Sequence, residues 1–526
     1  RFEQLWYRRP QMKNIALLSS LTLFAGSGSG SPALKCTDLL GIGFGSEVKI
    51  DSATLAPATV KAPEHCDVRG TTWPENQFAV KLPAAWNKRF YMVGNGGTAG
   101  VISLGAMDNG LRLGYAAAST NTGHDAAKEP LATFARRGPD NPNADRKALD
   151  FGYLAVHETA VLAKKIIQAY YGEAARYSYW VGCSTGGRQG FSEAQRYPED
   201  FDGLVIGAPA ISITGLNMRM MWNAQAGHAG PGKITAVKLP LLANAVYQKC
   251  DKIDGLEDGL IEDPRKCKVD PAHDLPKCAA GEDGPNCFTA AQLEALTKIY
   301  GGAKNSAGKQ LFPGQIPGAE ISAPAGPARA LKSGWEGYIV GAESLPLPRS
   351  ESSLKFMLLN PPDPEWNYQS FNFDTDPPKI AANAHKINAT NPDLSALKRR
   401  GGKILHYHGW ADTAVVPQLS TQYYESVIEK MGGKETREFY KLYMVPGMFH
   451  CSGGVGCGTV DWLTPVVDWV EKGAAPETLI GSRMEGSETK RTRPICPYPQ
   501  VAKYKGTGGI DDAANFTCVA QPFRRP

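Results

Sequence analysis

Short apolar runs alternate with helically spaced apolar positions in two parts of the chain, and a long irregular stretch separates them. Arg89–Val93 (RFYMV), Tyr177–Val181 (YSYWV) and Leu204–Ile206 each read as a buried strand. Between the first two, Leu154, Val156, Ala160, Leu162, Ile166 and Ile167 recur at helical spacing, which predicts a helix over 150–170. A further helix is predicted through Phe191–Arg196, stopped ahead of Pro198. The rhythm resumes with a strand at Lys403–His408, a helix from Pro417 to Met431, a strand at Tyr440–Val445 and a helix over Trp462–Val470. Strands alternating with helices predict a largely parallel α/β sheet. Residues 210–395 break the pattern and are rich in Pro, Gly and Asn. The expected organisation is a leader at 1–30, a first core portion at 31–209, an inserted segment at 210–395 and a second core portion at 396–526.

Composition narrows the partners and the compartment. A net charge of +5 over 526 residues, without a long Lys/Arg run, gives no argument for a nucleic-acid partner. Arg8, Arg9 and Lys13 precede the apolar run Ile15–Phe24, and small residues follow from Ala25 to Ser31. That order predicts an export leader, with translation starting at Met12. The run is too short to span a bilayer, and no later stretch is long and apolar enough, so no membrane anchor is expected. Eleven cysteines fit an oxidising compartment, secreted or periplasmic. The absence of a CxxC pair argues against a zinc ribbon, and the odd count leaves one thiol over.

The candidate chemistry starts at Val181-Gly182-Cys183-Ser184-Thr185-Gly186-Gly187-Arg188-Gln189-Gly190. G-x-S-x-G between a strand and a helix is a nucleophile elbow, so Ser184 is the candidate nucleophile. A serine hydroxyl needs a base, and the base needs an orienting carboxylate, in the chain order Ser, Asp or Glu, His. HYHGWAD places Asp412 just after a strand, and MVPGMFH places His450 just after the next. His124 and His157 precede the serine, against that order, while His406 and His408 lie inside a strand and read as packed or hydrogen-bonded. The oxyanion donors are expected to be the N–H groups of Thr185 and of Gly97, with Gly96 next to it, in the glycine-rich loop 94–98. Cys183 and Cys451 flank the nucleophile and the base. If Ser184 and His450 meet, these cysteines are close enough to bridge and hold their neighbours in place.

These residues together resemble the tannase/feruloyl esterase family, which includes the mono(2-hydroxyethyl) terephthalate hydrolases. The resemblance rests on Cys183-Ser184, Asp412 and His450-Cys451, in the flanks GCSTGGRQG, HGWAD and VPGMFHCSGG, and on RPICPYPQVAKYKG near the C-terminus. It implies an α/β-hydrolase fold in which residues 210–395 form a large lid. It implies a serine esterase acting on esters of hydroxylated aromatic acids such as ferulate and gallate, or on the terephthalate monoester. It also implies the disulfides Cys36–Cys66, Cys183–Cys451, Cys250–Cys267, Cys278–Cys287 and Cys496–Cys518, with Cys457 left over.

Asp251, Asp254 and Asp258 would converge if their loop curled at Gly255 and Gly259; the plain alternative is a solvated acidic turn. The resemblance implies a structural calcium here, completed by the carbonyls of Leu256 and Leu260. For the substrate, Arg329 and Arg349 are the only arginines between Arg265 and Arg399. Arg349 or Lys355 would suit a substrate carboxylate, or both carry surface charge. Trp335, Tyr338 and Phe356 would stack on an aromatic acyl group or fill the lid core. The preferred expectation is a feruloyl or galloyl esterase, with the terephthalate monoesterase as alternative. An inactive secreted calcium-stabilised binding protein and a peptidase using the same three residues are the readings of other kinds.

Overall fold

The nine strands of the main sheet run in the order β1–β2–β3–β5–β4–β6–β7–β8–β9. They are β1 (Val48–Ala56), β2 (His65–Thr72), β3 (Asn76–Pro83), β4 (Arg89–Val93), β5 (Ala116–Thr120), β6 (Tyr177–Cys183), β7 (Gly203–Gly207), β8 (Lys403–Gly409) and β9 (Tyr440–Val445). The computed structural model describes residues 30–320, 334–341 and 346–521. The basic and apolar parts of the predicted leader, Met12 and Arg329 lie outside the described residues.

From β5 through β9 every neighbouring pair is parallel, while β1, β2 and β3 add an antiparallel edge. The predicted strands appear where the apolar runs placed them, because strands buried on both faces read as continuous hydrophobic stretches. β7 and β9 are buried at every position. The antiparallel edge was not predicted. β1 alternates exposed and half-buried positions and β2 carries His65, Asp67 and Arg69, so neither shows a clean apolar run.

Four helices matter for the site: α1 (Ala155–Tyr171), α2 (Thr185–Arg196), α3 (Ile213–Gly227) and α4 (Pro346–Ser353). The predicted helix over 150–170 begins as a π-turn at Asp150–Leu154 before α1. The described residues between the ends of β7 and β8 form a mainly helical insertion. Part of it has its own core, in which Leu242, Phe288, Leu296 and Trp335 cluster with Ala411 and Phe449 from the loops after β8 and β9. The insertion therefore packs directly on two loops at the carboxyl edge of the sheet, the edge where open α/β sheets bind ligands.

All five disulfides implied by the resemblance form: Cys36–Cys66, Cys183–Cys451, Cys250–Cys267, Cys278–Cys287 and Cys496–Cys518. Cys457 is free and buried. No helix among the described residues is long and apolar enough to cross a membrane.

Candidate active site

Four loops meet at the carboxyl edge of the parallel strands, after β4, β6, β8 and β9. The turn after β6 is tight because its glycines let backbone touch backbone. A Cβ on Gly182 would fall 2.5 Å from the Gly186 carbonyl oxygen, and one on Gly94 would fall 2.5 Å from Gly186 Cα. Ser184 sits at φ 64°, ψ −121°, a strained conformation for a residue with a side chain. Its N–H donates to the Gly207 carbonyl and its carbonyl accepts from Ala210, which pins the turn to the end of β7.

The structure brings Ser184, His450 and Asp412 together. His450 Nε2 lies 2.9 Å from Ser184 Oγ, and His450 Nδ1 lies 2.6 Å from Asp412 Oδ2. Asp412 is fully buried, and its Oδ1 accepts from the N–H groups of Ala414 and Val415 at 2.8 and 2.9 Å. Burial opposes its charge, but the imidazoles of His450 and His408 outweigh burial and hold the carboxyl well below the usual carboxylate range.

His408 was expected to be packed or hydrogen-bonded, and it is both. Its Nε2 lies 3.1 Å from Asp412 Oδ2, and its Nδ1 lies 2.6 Å from Ser420 Oγ. Ser420 Oγ also meets His406 Nε2 at 2.8 Å, and His406 Nδ1 meets the Tyr440 hydroxyl at 2.7 Å. A buried hydrogen-bonded chain thus backs the carboxylate. Two more supports come from the insertion. Arg219, on α3, donates to the carbonyls of Thr413 and Ala414 from a site so buried that its guanidinium is pushed down to about 10. Gln315 donates to the Thr413 carbonyl at 3.1 Å. Arg219 and Gln315 have no local sequence signal, because each reaches the Asp412 loop from a distant segment.

Thr185 begins α2, so its N–H is one of the helix's unsatisfied donors. Its hydroxyl donates to the Gly97 carbonyl at 2.6 Å, tying the elbow to the glycine loop. Gly97 adopts φ 58°, which favours glycine. Gln189 fixes the start of the same loop, accepting from Asn95 N–H at 3.0 Å and donating to Asn95 Oδ1 at 3.2 Å.

A cavity of about 630 Å³ opens above Ser184 and His450. Phe151, Ile213, Leu216, Met220, Met357 and Val415 give it apolar walls. Tyr338 and Arg349 also line it, but Trp335, Lys355 and Phe356 do not. Trp335 is fully buried beside Tyr300, and Phe356 packs on the main core. Arg349, on α4, is half-buried with Nε sealed from solvent, and its guanidinium lies against Gly97. Burial pushes it below its usual value, and the group that acts on its charge is Tyr338 rather than a carboxylate.

The acidic loop curls at Gly255 and Gly259, at φ 100° and 75°. Asp251 Oδ1 accepts from Asp258 and Gly259 N–H, and Asp254 Oδ1 accepts from Leu256 N–H. Asp258 Oδ1 accepts from Leu260 N–H, while Oδ2 takes Arg493 at 2.5 Å. Burial raises the Asp254 carboxyl, and repulsion from Asp258 and Asp251 adds to that. In kind, this oxygen-only donor set fits calcium. The three carboxylates do not gather within 4.8 Å of one another. They face one another closely enough to repel.

A sequence model described as tannase and feruloyl esterase matches residues 60–519. The chain is 33% identical to the mono(2-hydroxyethyl) terephthalate hydrolase of Piscinibacter sakaiensis, over 89% of this chain and 87% of that protein. It is 32% identical to the probable feruloyl esterase B-2 of Aspergillus terreus, over 83% of this chain and 82% of that one. The crystal structure of feruloyl esterase B from Aspergillus oryzae superposes with a TM-score of 0.79 at 27% identity, covering 91% of this chain and 98% of that chain. With this fold and match, the chain belongs to the tannase and feruloyl esterase family, carboxylic ester hydrolases of the α/β-hydrolase type.

Proposed function

We propose that the protein is a serine esterase that releases hydroxylated aromatic acids, of the ferulate or gallate kind, through an acyl-enzyme. The observation that carries this reading is the line Ser184 Oγ–His450 Nε2, His450 Nδ1–Asp412 Oδ2 at the floor of a largely apolar cavity. His450 takes the serine proton as Ser184 Oγ attacks the ester carbonyl. The Thr185 and Gly97 N–H groups receive the developing oxyanion. His450 returns the proton to the departing alcohol. It then activates water to release the acid, while Asp412 keeps the imidazole oriented. In this reading the insertion is a lid that supplies the acyl pocket, and the protein works in a secreted or periplasmic setting, as its five disulfides favour.

Arg349 favours a second reading, in which the acyl group carries a carboxylate, as in mono(2-hydroxyethyl) terephthalate. A guanidinium at the cavity wall with no carboxylate partner among the described residues suits such a substrate. Initial rates on methyl ferulate, methyl gallate and the terephthalate monoester decide between the two. The first reading expects ferulate or gallate to lead, with Arg349→Ala leaving their rates nearly unchanged. The second expects the monoester to lead, with Arg349→Ala cutting its kcat/KM by about 10- to 100-fold, the worth of one charge-assisted hydrogen-bonded pair. Failure to turn over any of the three removes both readings.

We also propose a structural calcium held by Asp251, Asp254 and Asp258 with the carbonyls of Leu256 and Leu260. The loop is fastened by Cys250–Cys267 and clasped by Arg491 and Arg493. The dialysed protein is expected to retain one calcium per chain and to melt at a lower temperature in chelator. A metal-free protein with a chelator-independent Tm would end this proposal.

A further inference from the structure

Helix α2 starts at the nucleophile elbow and ends at the opposite edge of the sheet. Its last turns carry Glu193, roughly 13 Å along the helix from Ser184 at the usual rise per residue. Two other elements meet it there: His157 from the start of α1, and Asp200 from the loop that leads into β7 (Gly203–Gly207). One ligand atom from each of the three lies within 4.8 Å of the others. His157 Nδ1 is 2.6 Å from Asp200 Oδ2.

Glu193 is what makes this cluster more than an ion pair. It is 1% exposed, and among the described residues neither carboxylate oxygen accepts from a donor group; the side chain it meets is the Asp200 carboxyl. A sealed, unpaired carboxylate is strongly disfavoured unless something neutralises it. Burial first, and then Asp200, push its carboxyl well above the usual range. The positive group inside the cluster is Lys164, whose Nζ is 3.7 Å from Asp200 Oδ1 and donates to the Asp200 carbonyl. Arg400 is engaged by Asp202, and Glu199 adds further negative charge beside Glu193. Glu193 and Asp200 together therefore exceed the positive charge of Lys164 by one. Either a proton or a cation must supply the difference.

We infer that His157, Glu193 and Asp200 form a binding site for one divalent transition-metal ion of the zinc kind. One imidazole and two carboxylates are a zinc-type donor set, and the nitrogen donor disfavours calcium. His157 is partly exposed, with its ring stacked on Tyr197 at 3.6 Å, so one side of the cluster is open for entry and for a coordinated water. Neighbouring donors around tetrahedral zinc stand about 3.3 Å apart, so the His157–Asp200 contact has to open by well under 1 Å. Binding needs deprotonated ligands, so the affinity for the ion rises with pH. Its ligands come from α1, α2 and the loop before β7, so it staples three elements without touching the ester chemistry.

The test uses the full chain, dialysed against chelator and then held in calcium so that the acidic loop is saturated. Zinc binding is followed by calorimetry, and cobalt(II) is the spectroscopic probe. We expect one high-affinity equivalent, a cobalt spectrum of low coordination number, and a rise in Tm with zinc. His157→Ala and Glu193→Gln are each expected to weaken binding by at least about tenfold, as loss of a ligand should. Both should remove the Tm rise and leave ester turnover unchanged. No zinc equivalent in the wild type, or equal binding in both variants, overturns the site. Should a variant fail to fold, infrared spectroscopy of the wild type decides. A buried carboxylic-acid band that disappears on adding zinc supports the site, and a band that persists in saturating zinc means the occupant is a proton.

Discussion

Ser184→Ala lowers kcat on the order of 10⁶-fold while leaving the fold and KM almost untouched, as expected for a triad acting as a unit. The loss is large because three groups depend on one oxygen. His450 Nε2 has no other proton to take, since its only hydrogen-bond partner among the described residues is Ser184 Oγ at 2.9 Å. Asp412 then orients a base that has nothing to deprotonate. The residual rate should come from the oxyanion donors and the binding pocket, whose geometry the substitution preserves. Ser184 also keeps its backbone role, because the bonds from its N–H to Gly207 and from Ala210 to its carbonyl involve no side chain. An unchanged Tm beside lost turnover, and loss of stoichiometric labelling by a fluorophosphonate, are the expected measurements. Retention of more than about a hundredth of wild-type kcat would exclude Ser184 as nucleophile, because even loss of a single oxyanion donor costs that much.

The parallel strands and the elbow were legible because their signals are local. β4 and β9 coincide with apolar runs, and α2 begins one residue after the serine that the glycine pattern singled out. The neighbouring β5 was missed although all five positions are buried, because its sequence AAAST has little intrinsic strand preference and gains its place from packing. The site followed the same rule. Ser184, Asp412 and His450 stand at ends of strands that could be read directly. His408 and Ser420 lie within a dozen residues of Asp412, but their hydrogen bonds depend on how β8 and the following helix pack, and Arg219 reaches the Asp412 loop from 194 residues away, which no window of sequence contains. Arg349 is similar: its helix was not predicted, and its place in the cavity wall beside Gly97 is what distinguishes it from a surface charge. The pair Cys183 and Cys451 was a long-range contact readable in advance, because each sits beside a residue whose partner chemistry already required proximity.

Removing that bridge with the double variant Cys183→Ala, Cys451→Ala should have the largest effect on stability of any single cross-link. Its half-cystines are 268 residues apart, against 9 to 30 for the other four. The chain-entropy argument makes stabilisation grow with the logarithm of loop length, which gives on the order of 5 kcal/mol for this loop. The bridge encloses the whole insertion, so the reduced chain gains the freedom of that entire segment on unfolding. The catalytic consequence is separate. Cys451 holds a positive φ of 68° directly after His450, a conformation the bridge helps to impose on the histidine loop. Without it, His450 keeps its bond to Asp412 but loses one constraint on its distance from Ser184. A misplacement approaching 1 Å costs about 100-fold in rate. The double variant should therefore unfold at markedly lower urea concentration and, where still folded, show a kcat reduced by about 10- to 100-fold with KM little changed. A lower unfolding midpoint with wild-type kcat would mean that the bridge staples the insertion without positioning the base. An unchanged midpoint and unchanged kcat would deny it both roles.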